Sequence, residues 1–285
     1  MGTSKRERQK AGHQARQSAI ARAEAAAARR RRYVQAGVLA LFVLVVIGGA
    51  VVLSNRDDGS DTAAPTTTVD PQAGTPVELP TPPGPGATIE GETPCPEADG
   101  SSERTTSFSA APPMCIDPAS SYTARFDTSA GPISVELDAA SNPETVNNFV
   151  VLARYHYYDD TAIFRADRSI EIIQGGAPTT NSASDPGPGY TIADEGGPYT
   201  YEPGQLVMAR TAAEDSAGAQ FFFTAGPASS ALDSQGTYVV FGTTDEAGLA
   251  VVQQILASAV DDPTSGLGGT PDPPVVIEGI EITES

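Results

Sequence analysis

Alternating apolar and polar positions predict short β-strands after residue 120. Residues 122–127 and 132–137 alternate in this way about a Gly-containing turn, which is the pattern of a β-hairpin. At least four further short strands with Gly-rich turns follow, and residues 275–282 form a predicted closing strand. The pattern therefore predicts a mainly β domain over residues 120–285.

Two segments instead have apolar residues at helical spacing. The first begins at Pro143, with Asn142 as the predicted N-cap, and the second covers residues 249–259. The strands between them would leave too many open edges in a flat sheet of this size. We therefore expect a closed antiparallel β-barrel with an α-helix at each opening.

The stretch 206–225 predicts the centre of a binding surface. Residues 206–210 and 220–225 are two short strands joined by a loop of small residues. Because strand side chains alternate with a period of two, Met208, Gln220 and Phe222 can share one face. The prediction is an apolar floor with one amide at its rim.

Residues 34–53 contain no charged side chain and are long enough to cross the ~30 Å hydrocarbon core of a bilayer as a helix. The Arg block 29–32 predicts that segment 1–33 stays in the cytoplasm and that residues from 54 onward lie outside. A cleaved signal peptide is the alternative, but the apolar run is long for one. Segment 1–33 either only sets this topology or also lies as a helix on anionic lipid.

The net charge of the chain changes sign between segment 1–33 and the remainder. Segment 1–33 contains ten of the 17 Lys and Arg residues and two Glu, so its net charge is +8. The remainder has seven Arg and 34 Asp or Glu, a net charge of −27. This charge argues against nucleic-acid binding by the outer part. No Lys follows Lys10, which excludes a phosphate-binding Gly-Lys loop there.

Residues 54–93 are rich in Pro, Thr and Gly without periodicity, which predicts a disordered tether. The tether is either a spacer across a cell wall or a passive linker. Cys95 and Cys115 follow in segment 94–119, on the predicted outer side. A pair of cysteines in an oxidising compartment favours a disulfide over two free thiols.

Few residues offer metal or nucleophilic chemistry. Only two histidines occur, His13 and His156, so the usual zinc clusters lack ligands. A Ser-His-Asp triad would have to use His156, which we interpret as a packing or surface residue. We predict no metal, no cofactor and a monomeric protein.

Ordered motifs over residues 122–282 resemble the cyclophilin-type peptidyl-prolyl isomerases. Each motif is common alone, but together they follow the order and nearly the spacing of that family. They include Tyr-Tyr-Asp at 157–159, Ile-Phe-Arg at 163–165, Gln-Gly-Gly at 174–176, Val-Met-Ala-Arg-Thr at 207–211, Ala-Gln-Phe-Phe at 219–222 and Val-Phe-Gly at 240–242. The resemblance implies an eight-stranded barrel capped by two helices.

The resemblance also implies roles for single residues. Arg165 would be the catalytic arginine, and Gln174 would be a second catalytic residue that acts as a polar anchor. Arg165 is one residue farther from Gln174 than is usual in the family, so Arg168 is a rival. The implied substrate-binding positions are Ile170, Ile172, Ala209, Arg210, Gln220, Phe222, Leu232 and Tyr238, to which the strand pattern adds Met208.

The implied reaction explains these residue types. Rotation about an X-Pro bond must break amide resonance, with a barrier of ~18–20 kcal/mol. An arginine can donate a hydrogen bond to the prolyl nitrogen as it becomes pyramidal, which stabilises the transition state most. We therefore expect an isomerase for exported or cell-envelope proteins. The alternatives are a peptide-binding or chaperone module without catalysis, and a structural envelope protein that binds wall components.

Overall fold

The predicted hairpin opens a curled antiparallel sheet. The computed structural model describes residues 77–262 and 265–285. Its strands are β1 (Ala87–Ile89), β2 (Thr105–Phe108), β3 (Tyr122–Thr128), β4 (Ile133–Leu137), β5 (Thr161–Ala162), β6 (Arg165–Asp167), β7 (Ile172–Gly175), β8 (Gln205–Met208), β9 (Phe221–Thr224), β10 (Val240–Thr244), β11 (Ala259–Asp261), β12 (Gly269–Pro271) and β13 (Val276–Glu284). The helices are α1 (Pro143–Arg154), α2 (Glu246–Ala257) and a 3₁₀ helix (Pro227–Ser234).

The main sheet has eleven strands, in the order β11-β12-β6-β7-β9-β8-β10-β4-β3-β13-β5. A mainly β, antiparallel fold was predicted and is confirmed, whereas the count of eight strands is wrong. One reason is that β5 and β6 are a single run interrupted at residues 163–164: β5 pairs with β13, and β6 pairs with β7. The other is the added hairpin of β11 and β12, whose strand β12 pairs with β6.

Both predicted helices form, but their N-termini differ from the prediction. The side chain of Asn142 does not cap α1; its amide donates to the Val240 carbonyl. The Glu195 carboxylate instead accepts from the N–H groups of Glu144 (3.0 Å) and Thr145 (2.6 Å). An acid at this end also suits the positive pole of the helix dipole. Helix α2 begins three residues earlier than predicted, because Asp245 accepts from the Gly248 N–H.

An aromatic cluster fills the space between the curled sheet and α1. Phe221 lies at its centre, with ring centroids 5.5 Å from both Phe126 and Tyr158 and 6.1 Å from Phe149. All four side chains are almost completely buried. Such edge-to-face aromatic packing stabilises a core beyond the area that it buries.

The folded unit extends well before residue 120. Strand β1 lies inside the predicted tether and pairs in parallel with β2, which lies outside it. The Pro80 carbonyl, also in the tether, accepts from the buried Asn181 amide at 3.0 Å. The boundary predicted at residue 93 is therefore wrong for residues 77–93, because side chains of the domain satisfy backbone groups of this segment. Residues 54–76 of the tether, the basic segment 1–33 and the apolar run 34–53 lie outside the described residues. Within residues 77–262 and 265–285, no helix is both long and apolar enough to cross a membrane.

The predicted disulfide joins Cys95 to Cys115. The backbone N–H of Cys115 donates to Asn147 Oδ1 at 2.7 Å, and Asn147 Nδ2 donates to the Pro113 carbonyl at 2.9 Å. Because Asn147 belongs to α1, these bonds attach the disulfide segment to the domain.

We expect the double variant Cys95→Ser with Cys115→Ser to be less stable than the parent by about 3 kcal/mol, because the crosslink restricts the unfolded chain. Urea unfolding of the full-length chain measures this difference. Adding reductant to the parent should lower its stability by the same amount and leave the variant unchanged. Equal stability of parent and variant would contradict the prediction.

Candidate functional site

A row of polar side chains crosses the outer face of strands β6, β7 and β9. Arg165 on β6 is paired with Gln174 on β7, and Gln174 is paired with Phe222 on β9. Directly paired residues of antiparallel strands project to the same face. The sheet therefore places Arg165, Gln174 and Phe222 side by side.

The extra residue between Arg165 and Gln174 does not disturb this pairing. Strands β6 and β7 are joined by residues 168–171, and Glu171 takes a left-handed backbone conformation with φ of 48°. Its carboxylate accepts from the Ala228 N–H at the start of the 3₁₀ helix, at 2.6 Å. The turn thus absorbs the insertion, and Arg165 stays opposite Gln174.

Three hydrogen bonds hold the guanidinium of Arg165. Nε donates to the Leu267 carbonyl at 2.6 Å, Nη1 to Gln174 Oε1 at 3.1 Å, and Nη2 to Asp167 Oδ2 at 2.7 Å. A guanidinium has five N–H groups, so two are left without a partner among the described residues. The side chain is fixed in place and can still donate to a bound ligand.

Asp167 is a site residue that the sequence analysis missed. Its side chain is only 10% exposed, and its Oδ1 accepts from the N–H and the hydroxyl of Ser169 at 2.9 and 2.6 Å. Burial opposes ionisation, but the hydrogen bonds from Ser169 and Arg165 outweigh it and hold the pKa of Asp167 below its usual value. A carboxylate two residues after a candidate catalytic arginine is the signal that could have identified it.

The loop between β11 and β12 completes the support of Arg165. Gly268 has φ of 92°, and a Cβ there would lie 2.8 Å from the Asp167 Cα. Only glycine allows this close approach. The approach brings the carbonyl of the preceding residue, Leu267, to the guanidinium of Arg165. The added hairpin of β11 and β12 therefore contributes to the site.

Two glutamines continue the polar row. Gln174 Nε2 donates to Gln220 Oε1 at 3.0 Å, and Gln220 Nε2 lies 3.4 Å from the Ala183 carbonyl. Gly176 has φ of 89°, and a Cβ there would lie 2.7 Å from the Ala219 carbonyl. Glycine at this position lets the end of β7 approach the residues that carry Gln220.

An apolar socket lies beside the polar row. Its buried members are Ile172, Tyr201, Val207 and Phe222, and its partly buried members include Ile170, Ala209, Leu232 and Tyr238. The Phe222 and Tyr238 rings meet edge to face with centroids 5.7 Å apart. The structure therefore brings together six of the predicted binding residues and adds Val207 and Tyr201.

Tyr201 fixes the position of Tyr238. Its hydroxyl donates to the Tyr238 carbonyl at 3.0 Å and accepts from the Tyr238 N–H at 2.9 Å. Burial raises the pKa of Tyr201 to about 12, so its hydroxyl stays protonated and keeps both bonds at neutral pH. Sequence reasoning missed this residue because it lies in a loop outside every motif.

Arg210 lies at the edge of the socket and holds the loop that follows β8. Its Nε donates to the Thr237 carbonyl at 3.1 Å and its Nη1 to the Ala213 carbonyl at 2.6 Å. The guanidinium carbon lies 5.9 Å from the centre of the Tyr238 ring, within the range of a cation–π contact. Arg210 therefore shapes the rim of the socket.

One sequence prediction is corrected here, and the rival arginine is placed. Met208 is paired with Phe221 on the core side of the sheet and is 1% exposed. The prediction that it shares the face of Gln220 and Phe222 is wrong, because the register places Val207 opposite Phe222. The rival arginine, Arg168, donates to the carbonyls of Ala257 and Ala259 at the end of α2. A cation stabilises the C-terminus of a helix, and these bonds occupy Arg168 away from Gln174.

We expect Asp167→Asn to reduce stability by about 1–3 kcal/mol at pH 7, because it weakens a hydrogen bond between charged groups. The pKa of Asp167 is lowered in the folded state, so its stabilising effect is complete above the unfolded pKa of about 3.9 and is lost as the pH falls through the folded pKa. Urea unfolding at pH 7 and pH 3 measures both values. A difference between parent and variant that is the same at both pH values would contradict this account.

Three comparisons show which known proteins this chain is similar to. The family model described as cyclophilin type peptidyl-prolyl cis-trans isomerase/CLD matches residues 123–282. The chain is 36% identical over 170 residues to peptidyl-prolyl cis-trans isomerase cyp18 of Streptomyces antibioticus, a match that covers 56% of this chain and 98% of that protein. It is 30% identical over 183 residues to the probable peptidyl-prolyl cis-trans isomerase B of Mycobacterium leprae, with 58% of each protein covered.

A solved structure is similar as well. The crystal structure of a cyclophilin type peptidyl-prolyl cis-trans isomerase from Cryptosporidium parvum superposes with a TM-score of 0.50 at 27% sequence identity. The match covers 58% of this chain and 99% of that one. Sequence and fold therefore point to the same family.

Proposed function

Because the chain belongs to the cyclophilin-type peptidyl-prolyl cis-trans isomerase family, we propose that its Arg165 site isomerises X-Pro bonds of exported or cell-envelope proteins and so assists their folding. The single observation that carries the site assignment is the row Arg165, Gln174 and Gln220 beside the socket of Phe222. A fixed cation with free N–H groups stands next to an apolar surface. X-Pro isomerisation requires both.

In this proposal each part of the site has its own task. The apolar socket, with Phe222 and Ile172, holds the proline ring. Gln174 and Gln220 bind the polar groups of the neighbouring peptide units. Arg165 donates one of its two free N–H groups to the prolyl nitrogen. That nitrogen gains a lone pair only when the C–N bond twists out of conjugation, so the hydrogen bond is strongest in the transition state and lowers the barrier.

No proton has to be transferred and no covalent bond has to be formed. The role of Arg165 is electrostatic, and it requires a charge that persists inside an apolar site. An arginine keeps its proton under these conditions, whereas a buried lysine readily loses its own. Asp167 is the residue that positions the guanidinium, since it holds Nη2 at 2.7 Å.

Location outside the cytoplasmic membrane is part of the proposal. It is supported by the uncharged run 34–53 after the Arg block 29–32. The disulfide between Cys95 and Cys115 supports it independently, since such bonds persist in oxidising compartments. Protease treatment of intact cells tests it: we expect the domain to be digested while the cell membrane is intact. Protection until the cells are lysed would contradict the proposed orientation.

A protease-coupled assay with a proline tetrapeptide tests the proposed activity. The full-length chain in detergent should accelerate cis-to-trans isomerisation, and the rate should rise in proportion to enzyme concentration. The alternative is a peptide-binding or chaperone module on the same fold. Binding of the peptide without any acceleration would favour that module over the proposed function.

A further inference from the structure

Among the residues that the structure describes, one edge of strand β13 is open over most of its length. Its other edge pairs with β3 from Ile277 to Glu284, whereas the open side pairs with β5 only through Val276 and Ile277. Just beyond this strand, Ser285 and Ser121 exchange two backbone hydrogen bonds, each of 3.0 Å. This pair fixes which residues of β13 direct their backbone groups toward β3.

Alternate residues of an antiparallel strand direct both N–H and C=O to the same neighbour. Counted back from Ser285, the residues that bond with β3 include Thr283 and Glu281. Ile280 and Ile282 therefore direct their N–H and C=O groups to the open side. Within residues 77–262 and 265–285, none of these four groups has a hydrogen-bond partner.

A cavity of about 430 Å³ runs along this edge, lined on one side by residues 279–282. The volume lies within the range of ~300–1,000 Å³ that is usual for ligand sites. The lining also includes residues 98–100, the end of α1, the turn that follows it and Asp127 of β3. The open edge thus borders a cavity that other segments of the domain also line.

His156 connects two of the segments that line the cavity. Its Nε2 donates to the Gly100 carbonyl at 2.8 Å, and its Nδ1 lies 2.7 Å from Asp159 Oδ2. His156 itself has a left-handed backbone conformation with φ of 57°. These contacts hold the 98–100 segment to the turn that follows α1.

The cavity is acidic. Four carboxylates line it, those of Asp99, Asp127, Asp159 and Glu281. Asp127 is paired with Arg125 at 2.9 Å and Asp159 with His156 at 2.7 Å, so among the described residues Asp99 and Glu281 are the two that have no basic partner. Arg154, which also lines the cavity, is close to Glu284, at 3.5 Å. Charge complementarity therefore favours a ligand with basic side chains. A second copy of this strongly acidic domain would be repelled.

We propose that the open edge of β13 binds an extended, Lys- or Arg-bearing segment of a partner polypeptide, which adds to the sheet as one more strand. Backbone bonds to Ile280 and Ile282 supply the affinity, and the carboxylates select the basic side chains, as in other cases of strand addition. The surface is separate from the Arg165 site, which lies on strands β6, β7 and β9. A client polypeptide could then be bound at the β13 edge while one of its X-Pro bonds is isomerised at the Arg165 site.

A proline-free peptide tests this site without occupying the proline socket. The probe is fluorescein-labelled Lys-Val-Thr-Val-Lys with an amidated C-terminus, and binding to the full-length chain in detergent is followed by fluorescence anisotropy. We expect Glu281→Lys to weaken binding at least tenfold. The matched control is Glu278→Lys, on the same strand but outside the cavity lining, which should bind within twofold of the parent.

Two further measurements test strand addition itself. The same peptide with N-methyl groups on alternate residues should not bind, because it lacks the N–H groups that would pair with β13. Hydrogen exchange of the Ile280 and Ile282 amides should slow at least tenfold when the unmodified peptide is bound. Ile282→Pro removes only an N–H on the open side and should abolish binding while isomerase activity is retained; if it does not fold, Glu281→Lys decides.

Several results would overturn the proposal. Equal binding by the parent and Glu281→Lys is one, and binding of the N-methylated peptide is another. Absence of binding at millimolar peptide would do so as well. Slow exchange of Ile280 and Ile282 before any peptide is added would show that another segment of this chain or a second copy already fills the edge, and sedimentation would separate these two cases.

Discussion

Arg165→Ala should lower kcat/KM for a proline tetrapeptide by about 10²–10³-fold, the usual cost of removing a single hydrogen bond that stabilises a transition state. The loss should fall on kcat, because the prolyl nitrogen accepts well only while the bond is twisted. The protease-coupled assay with the full-length chain measures it. The unfolding free energy at pH 7 should be measured for the same variant to exclude misfolding.

Arg168→Ala is the matched control for this experiment. Arg168 lies three residues away and contacts the end of α2 rather than Gln174. We expect its replacement to reduce stability slightly and to leave kcat within about twofold of the parent. Equal activity of both variants would refute the assignment of Arg165, and a larger loss in Arg168→Ala would transfer the role to that residue.

The second large effect distinguishes two adjacent phenylalanines. Phe221 contacts the rings of Phe126, Phe149 and Tyr158 in the core. We expect Phe221→Ala to reduce stability by about 3–5 kcal/mol, while the folded fraction keeps a kcat/KM close to that of the parent. Urea unfolding combined with active-fraction assays measures both quantities.

Phe222 is on the opposite face of the same strand, and among the described aromatic residues its ring meets only that of Tyr238. Phe222→Ala should therefore reduce stability less than Phe221→Ala does. It should lower kcat/KM by about 10–200-fold, because the socket loses most of its contact with the proline ring. If both variants lost stability equally and kept full activity, Phe222 would be a core residue and the socket would be wrongly placed.

Much of the fold followed from the sequence because the local signals there are strong. The hairpin about Gly131, the helix from Pro143 and the sharp turns at glycine all depend on residues close together in the chain. The error about Met208 has a different origin. The face of the sheet on which the Met208 side chain lies depends on the register between β8 and β9. That register is set by long-range pairing with Phe221.

The parts of the site that the sequence analysis missed also depend on contacts between residues that are far apart in the chain. Leu267 reaches Arg165 across 102 positions of the chain, and Tyr201 reaches Tyr238 across 37. Neither partner lies in a recognisable motif, so no local pattern indicates them. Asp167 is the exception, since it lies two residues from the arginine that it holds.

The attachment of the segment before residue 120 determines how this enzyme should be truncated. Phe108 is 2% exposed, and its ring packs against Tyr155 and Tyr190 at centroid distances of 5.5 and 6.1 Å. A fragment starting at Ser120 would uncover these rings and leave Asn147 without its two backbone partners. Such a fragment should aggregate, whereas one that keeps Pro80, whose carbonyl accepts from the buried Asn181 amide, should purify in active form.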